Sequence, residues 1–162
     1  DRKWPAFEEV FHGFDPARCA RIHDETLEEL LADKRLIGHL PKLRSIRANA
    51  AAMLEVARET GSVGAWLASW PGEDIVGLWD ELQRRFSQMG GNSGPSFLRM
   101  VGKDTFILTD SVVKALVHWG AVASPPKTKA DRRAVQTRFN AWHDETGLPL
   151  CRLSQILAMS VD

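Results

Sequence analysis

Apolar residues recur along the chain at intervals of three and four positions, which is the spacing of one face of a helix. The longest stripe runs for about four turns and contains Leu43, Ile46, Ala50, Met53, Leu54 and Ala57. Similar stripes predict further helices near 4–11, 27–31, 63–70, 75–86, 112–117, 129–145 and 150–160. Only 105–108 alternates like a strand, and it is too short to build a sheet. The pattern predicts an all-α chain of about nine helices.

Five of the six tryptophans fall on these apolar helical faces, where bulky rings usually pack against other side chains. They are Trp4, Trp66, Trp70, Trp79 and Trp142. We therefore predict that all five are packing residues rather than a platform for a ligand.

A glycine-rich stretch, Met-Gly-Gly-Asn-Ser-Gly at 89–94, separates two of the predicted helices and is followed by Pro95. Glycine has no Cβ to keep a ligand away from the backbone amides, and proline fits the first turn of a helix. Bare amides before a helix N-terminus suit a phosphate. The stretch from about 82 to 102 thus predicts a helix-hairpin-helix that grips a DNA backbone. A glycine-rich link that binds nothing is the alternative.

The residues expected to contact DNA comprise the amides of the turn and two flanking cations. They are Gly91, Asn92, Ser93, Gly94, Arg99 and Lys103. Charge is distributed accordingly, since residues 84–138 carry ten Lys and Arg against three Asp and Glu, a local net of +7. The rest of the chain has a net charge of −7, so the total of zero conceals an uneven distribution of charge. Such a distribution is expected of a protein that binds a polyanion with one face. A solvated basic face without a partner is the alternative.

Length and composition predict one globular domain over residues 1–162, because 44% hydrophobic content is enough for a core. Two isolated cysteines, Cys19 and Cys151, predict free thiols in a reducing compartment. The chain has no apolar run of the length that spans a membrane and no signal pattern at its N-terminus. We expect a monomeric, cytoplasmic protein without a membrane partner.

The sequence contains no pair of cysteines or histidines at the spacing of a zinc site. The closest candidates, His118 and His143, have no partner at ligand spacing. We therefore expect neither a metal nor another cofactor.

Three segments, in order, resemble the DNA-3-methyladenine glycosylase I family of the helix-hairpin-helix DNA glycosylases. Residues 11–16, Phe-His-Gly-Phe-Asp-Pro, are similar to the family's F-x-x-F-D-P, and 36–50 are similar to its I-I-R-H-R-x-K-I…N-A helix. Residues 82–102 follow its hairpin without a gap. The resemblance implies the helix-hairpin-helix glycosylase fold. The family's N-terminal segment, which helps to line the base pocket, has no counterpart here, so we expect an N-terminally truncated member.

The resemblance implies a base-excision repair enzyme that hydrolyses the N-glycosidic bond of alkylated purines, of the 3-methyladenine type, in double-stranded DNA. An alkylated purine already carries positive charge, so the main need is a carboxylate that supports an oxocarbenium-like sugar. In the superfamily an Asp about twenty residues past the hairpin turn has this role, and Asp110 lies nineteen past Gly91. The alternative is that Asp110 only caps the helix that it starts.

Relatives that also cleave the DNA strand carry a Lys in the hairpin for Schiff-base chemistry. The matching position here is Ser93 or a neighbour, and no Lys lies between Ile75 and Met100. The resemblance therefore implies a monofunctional glycosylase. Two alternatives stay open: a helix-hairpin-helix module that binds DNA without chemistry, and an unrelated helical interaction domain that does not bind DNA.

Overall fold

The structure is a computed structural model, and it describes residues 2–161. This part of the chain contains ten α-helices and no β-strand, so the predicted all-α class is confirmed, with one helix more than the expected nine. The helices are α1 (Trp4–Val10), α2 (Pro16–Cys19), α3 (Asp24–Glu29), α4 (Leu40–Thr60), α5 (Val63–Ser69), α6 (Ile75–Arg85), α7 (Ser93–Met100), α8 (Asp110–His118), α9 (Lys129–Thr146) and α10 (Leu150–Ala158).

Helix α9 shows how local sequence sets the helix ends. The Thr128 hydroxyl accepts a hydrogen bond from the Asp131 N–H at 3.1 Å, and the Asp131 carboxylate accepts one from the Thr128 N–H at 2.8 Å. This reciprocal capping box fixes the first turn and holds the pKa of Asp131 below its ordinary value. At the other end Gly147 takes a left-handed φ of 68° and stops the helix. The bounds agree with the predicted 129–145 to within one residue.

The chain divides into two compact units, of which the first comprises residues 1–67 and 84–88. Its core is formed by Phe11, Cys19, Leu27, Leu43 and Ala50. Within this unit the side chain of Asn49 on α4 pairs with the backbone of Ser87: its amide donates to the Ser87 carbonyl at 3.1 Å, and its oxygen accepts from the Ser87 N–H at 2.7 Å. These two hydrogen bonds hold the chain that follows α6.

The second unit comprises residues 68–83 and 89–162. In its core Phe106 stacks on Phe139 with ring centroids 4.2 Å apart, and Trp79 meets Phe106 edge-on at 4.8 Å. The buried Gln136 is satisfied because its side-chain oxygen accepts from the Val76 N–H at 2.7 Å. The single domain expected over 1–162 stays a prediction.

The tryptophan prediction is wrong for Trp4, which is 53% exposed although its ring stacks on Phe14 at 5.0 Å. One neighbouring ring is not enough to bury an indole. Trp66 and Trp79 are buried as predicted, while Trp70 and Trp142 are half-buried.

Both cysteines are free thiols, with Cys19 buried and Cys151 half-buried. Burial raises the pKa of both thiols above the ordinary value. Within residues 2–161, every helix is too short or too polar to cross a membrane.

Candidate functional site

Helices α6 and α7 are joined by residues 86–92, whose last four residues, 89–92, we call the glycine-rich turn. Gly91 is exposed and has a φ of 58°, and a Cβ added to it would have nothing within 4 Å. Gly94, in the first turn of α7, is buried, and a Cβ there would lie 3.0 Å from the Met89 carbonyl oxygen. The two glycines therefore do different things. Gly91 permits the left-handed turn, and Gly94 permits the close approach of α7 to Met89.

Two exposed backbone amides of this segment are free to bind an anion. In the described part of the chain the N–H groups of Gly91 and Asn92 donate no hydrogen bond, whereas the N–H of Ser93 is used by the Gly90 carbonyl at 3.2 Å. They directly precede an eight-residue helix, where the positive end of the helix dipole also favours negative charge. The N–H of Gly94 has no partner either, but that residue is buried.

The side chains of α7 tie it to the non-helical segment 105–108. Asn92 does not cap α7; its side-chain amide donates to the Leu108 carbonyl at 3.0 Å. At the other end of the helix Arg99 donates to the carbonyls of Thr105, at 3.2 Å, and Cys151, at 3.4 Å. Seven residues of helix rise about 10 Å, which matches the reach of the chain from Thr105 to Leu108. The segment therefore runs alongside α7 in the opposite direction.

Asp110 is the first residue of α8 and is exposed. The capping role considered for it is wrong, because Thr109 is the cap: its hydroxyl accepts from the Val112 N–H at 3.3 Å. Within residues 2–161, no group forms a hydrogen bond or an ion pair with the Asp110 carboxylate. Asp110 follows Leu108 by two residues, so their Cα atoms lie within about 7 Å of each other. The Asn92–Leu108 bond thus brings Asp110 to the same end of α7 as the glycine-rich turn.

The two cations predicted to flank the phosphate have acceptors within the protein. Lys103 is half-buried, and its ammonium donates to the carbonyl of Trp70 at 2.6 Å and to that of Ala68 at 3.5 Å. Arg99 is half-buried too, and its guanidinium donates to the carbonyls of Thr105 and Cys151. Both side chains hold the polypeptide around α7. Contact of either with DNA stays a prediction, as does contact through the turn itself.

The basic excess of residues 84–138 is partly neutralised. Asp80 pairs with Lys129 at 3.3 Å and with Arg132 at 3.7 Å. Exposed cations for which the described residues provide no ion pair are Lys114, Lys127, Arg133 and Arg138. These four are available to a polyanion, and none of them belongs to the predicted site.

Asp104 is a residue of this region that the sequence did not reveal. Its carboxylate accepts from the N–H of Leu150 at 2.7 Å and from that of Cys151 at 2.8 Å, so it caps α10 from 46 residues away. Only a cap inside the same segment leaves a local pattern in a sequence. Near the end of α7, a cleft of about 370 Å³ is lined by residues that include Arg99, Thr109 and Cys151.

The described residues contain no group of three or more His, Cys, Asp and Glu side chains that could hold a metal ion. His143 lies 2.8 Å, through Nδ1, from the Leu148 carbonyl, and the His118 ring lies edge-on against Trp119. The absence of a metal stays a prediction.

Comparison with known proteins identifies the family. Residues 2–89, more than half of the chain, match the sequence model of the methyladenine glycosylase family, and the chain belongs to that family. Searches of curated proteins and of solved structures gave no match. Membership supports a DNA glycosylase role and implies DNA as the substrate. The match ends at Met89, so Gly91, Asn92 and Asp110 are candidates on the strength of the sequence and the structure alone.

Proposed function

We propose that the chain is a monofunctional DNA glycosylase that hydrolyses the bond between deoxyribose and an alkylated purine, of the 3-methyladenine type, in double-stranded DNA. One observation carries the proposal. In a member of the methyladenine glycosylase family, two exposed, unpaired amides lie at the same end of α7 as the unpaired Asp110 carboxylate.

The first step is the binding of the DNA backbone. The N–H groups of Gly91 and Asn92 donate to a phosphate oxygen, and such charge-assisted bonds are about twice as strong as neutral ones. Phosphate contacts position the enzyme without reading sequence. The target nucleotide can then rotate out of the stack near α8, which is easiest where alkylation has already weakened its pairing.

The second step is the cleavage of the glycosidic bond. The C1′–N bond breaks and its electron pair neutralises the positive charge of the alkylated purine, which leaves as the free base. The sugar becomes oxocarbenium-like, and the Asp110 carboxylate stabilises its charge. Water adds to C1′ and gives up a proton to a base, for which the same carboxylate is suited. The products are the free base and an abasic site, and the strand stays intact.

The proposal is tested on duplex DNA treated with a methylating agent. We expect released methylated purine and abasic sites that break only after alkali or heat. Borohydride should trap no covalent protein–DNA adduct, because no hairpin Lys is present to form a Schiff base. A trapped adduct would contradict the monofunctional mechanism, and the absence of released base would contradict glycosylase activity.

A DNA-binding module without chemistry is the second candidate, favoured by one observation. Asp110 is exposed, and the 370 Å³ cleft that Thr109 and Val112 line does not include it. This candidate predicts salt-sensitive DNA binding with no base released in the same assay. An unrelated helical interaction domain would show no DNA binding at all.

A further inference from the structure

We propose that the side chain of Asn92 is a positioning residue, which fixes Asp110 relative to the amides that bind phosphate. The inference rests on the proposed function and assigns to Asn92 a second role besides its backbone N–H. Its basis is the single side-chain bond from Asn92 Nδ2 to the Leu108 carbonyl, 3.0 Å long, just before α8 begins.

The direction of this side chain is informative. Asn is among the preferred N-cap residues, whose side chain normally accepts from an amide of its own helix. Asn92 occupies the N-cap position of α7 but makes no such bond. It acts as a donor to another segment instead. The Asn92 side chain therefore links the start of α7 to the segment before α8 and does not stabilise α7 by capping it.

The remaining bonds hold other parts of the segment. Arg99 holds Thr105, and the Ser154 hydroxyl bonds the N–H of Ile107 at 3.3 Å and its carbonyl at 3.4 Å. Asn92 is the group that holds Leu108, the last residue before the Thr109 cap. Losing it therefore frees the start of α8, where Asp110 lies, while the rest of the segment stays attached. The backbone amides of the glycine-rich turn are unchanged by a substitution of this side chain.

The test compares Asn92→Ala with Asn140→Ala in the full chain. Asn140 is a matched control, since its side-chain amide also donates to one backbone carbonyl, that of Glu73, at 2.9 Å. Asn92→Ala should keep its affinity for methylated duplex within about twofold and lose about five- to tenfold in single-turnover excision, the scale of one neutral hydrogen bond. Asn140→Ala should change neither. In an Asp110→Asn background, Asn92→Ala should lower the excision rate little further, because the two residues act on the same step.

Amide hydrogen exchange provides a readout that does not depend on catalysis. Asn92→Ala should speed exchange at residues 108–113, and Asn140→Ala should not. Equal exchange at 108–113 in Asn92→Ala and the parent would overturn the proposal, as would an unchanged excision rate or a loss of affinity that accounts for the whole effect. If the parent chain releases no methylated base, the proposed function fails, and the placement of Asp110 by Asn92 is then decided by exchange alone.

Discussion

Gly91→Ala separates the stability of the glycine-rich turn from its ability to bind phosphate. Gly91 has a φ of 58°, and an added Cβ would meet no other atom within 4 Å. The only cost to the folded protein is the left-handed conformation of an alanine, about 1 kcal/mol. Against a typical total stability of about 5–15 kcal/mol, the variant should stay folded.

The effect on binding should be larger than the effect on stability. The new methyl group stands next to the free amides of Gly91 and Asn92, and a hydrogen bond to a charged group contributes about 1.5–3 kcal/mol. Loss of one such bond would raise the Kd for DNA by about ten- to a hundredfold. Because phosphates are the same in every sequence, the loss should be equal on unrelated duplexes.

Gly102→Ala is the matched control. Gly102 also has a left-handed φ, of 83°, it is exposed, and a Cβ there would meet nothing within 4 Å. It follows α7 at the end opposite to the glycine-rich turn, about 12 Å away along the helix. Urea unfolding should show similar losses for both variants, and fluorescence anisotropy should show weaker DNA binding for Gly91→Ala alone. Parental affinity in Gly91→Ala, or equal losses in both variants, would refute the phosphate clamp.

Three further predictions follow from the hydrogen bonds and the pKa of one thiol. Lys103→Met should lower the free energy of unfolding by about 1 kcal/mol, because its ammonium holds the Trp70 carbonyl. The predicted contact of this ammonium with a phosphate requires that the same substitution lower the slope of log K against log salt by about one, and an unchanged slope would contradict that contact. Asn49→Ala should lower the free energy of unfolding, measured in urea, by about 2 kcal/mol, because both hydrogen bonds to the Ser87 backbone disappear. A decrease below about 0.5 kcal/mol would show that Asn49 does not hold the chain that follows α6. Burial raises the pKa of Cys151 above the ordinary thiol value, so its reaction with a disulfide reagent at pH 7 should be slower than that of a cysteine in an unstructured peptide and should accelerate as the pH rises; a rate at pH 7 equal to that of the peptide would contradict it.

Most helix positions could be predicted because the signals are local. The stripe from Leu43 to Ala57 lies within α4, and α9 ends at Thr146, within one residue of the predicted end. The all-α class follows from such periodicity alone. Trp4 shows the limit of this reasoning: an apolar helical face predicts that a side chain packs, but the depth of burial depends on what the rest of the chain places over it.

The candidate site could be located from the sequence, but the roles of its side chains could not. The turn glycines and the start of α8 leave local patterns, and these identified Gly91 and Asp110 as candidates. Arg99 and Lys103 were expected to add charge for DNA, whereas the structure gives both of them carbonyl acceptors. The bond from Asn92 to Leu108 joins residues sixteen positions apart. A sequence does not show which side chain meets which distant carbonyl.

Single-turnover excision by the parent chain and by Asp110→Asn tests the central claim most directly. Thr109 caps α8, so the substitution removes the charge without removing the cap. On methylated duplex the parent should release methylated purine, and Asp110→Asn should be slower by about a hundredfold or more, the scale of losing one preorganised electrostatic contact, with DNA affinity equal or slightly higher. Excision by Asp110→Asn at the parent rate would show that the catalytic group lies elsewhere. DNA binding without any base release by the parent would contradict glycosylase activity itself.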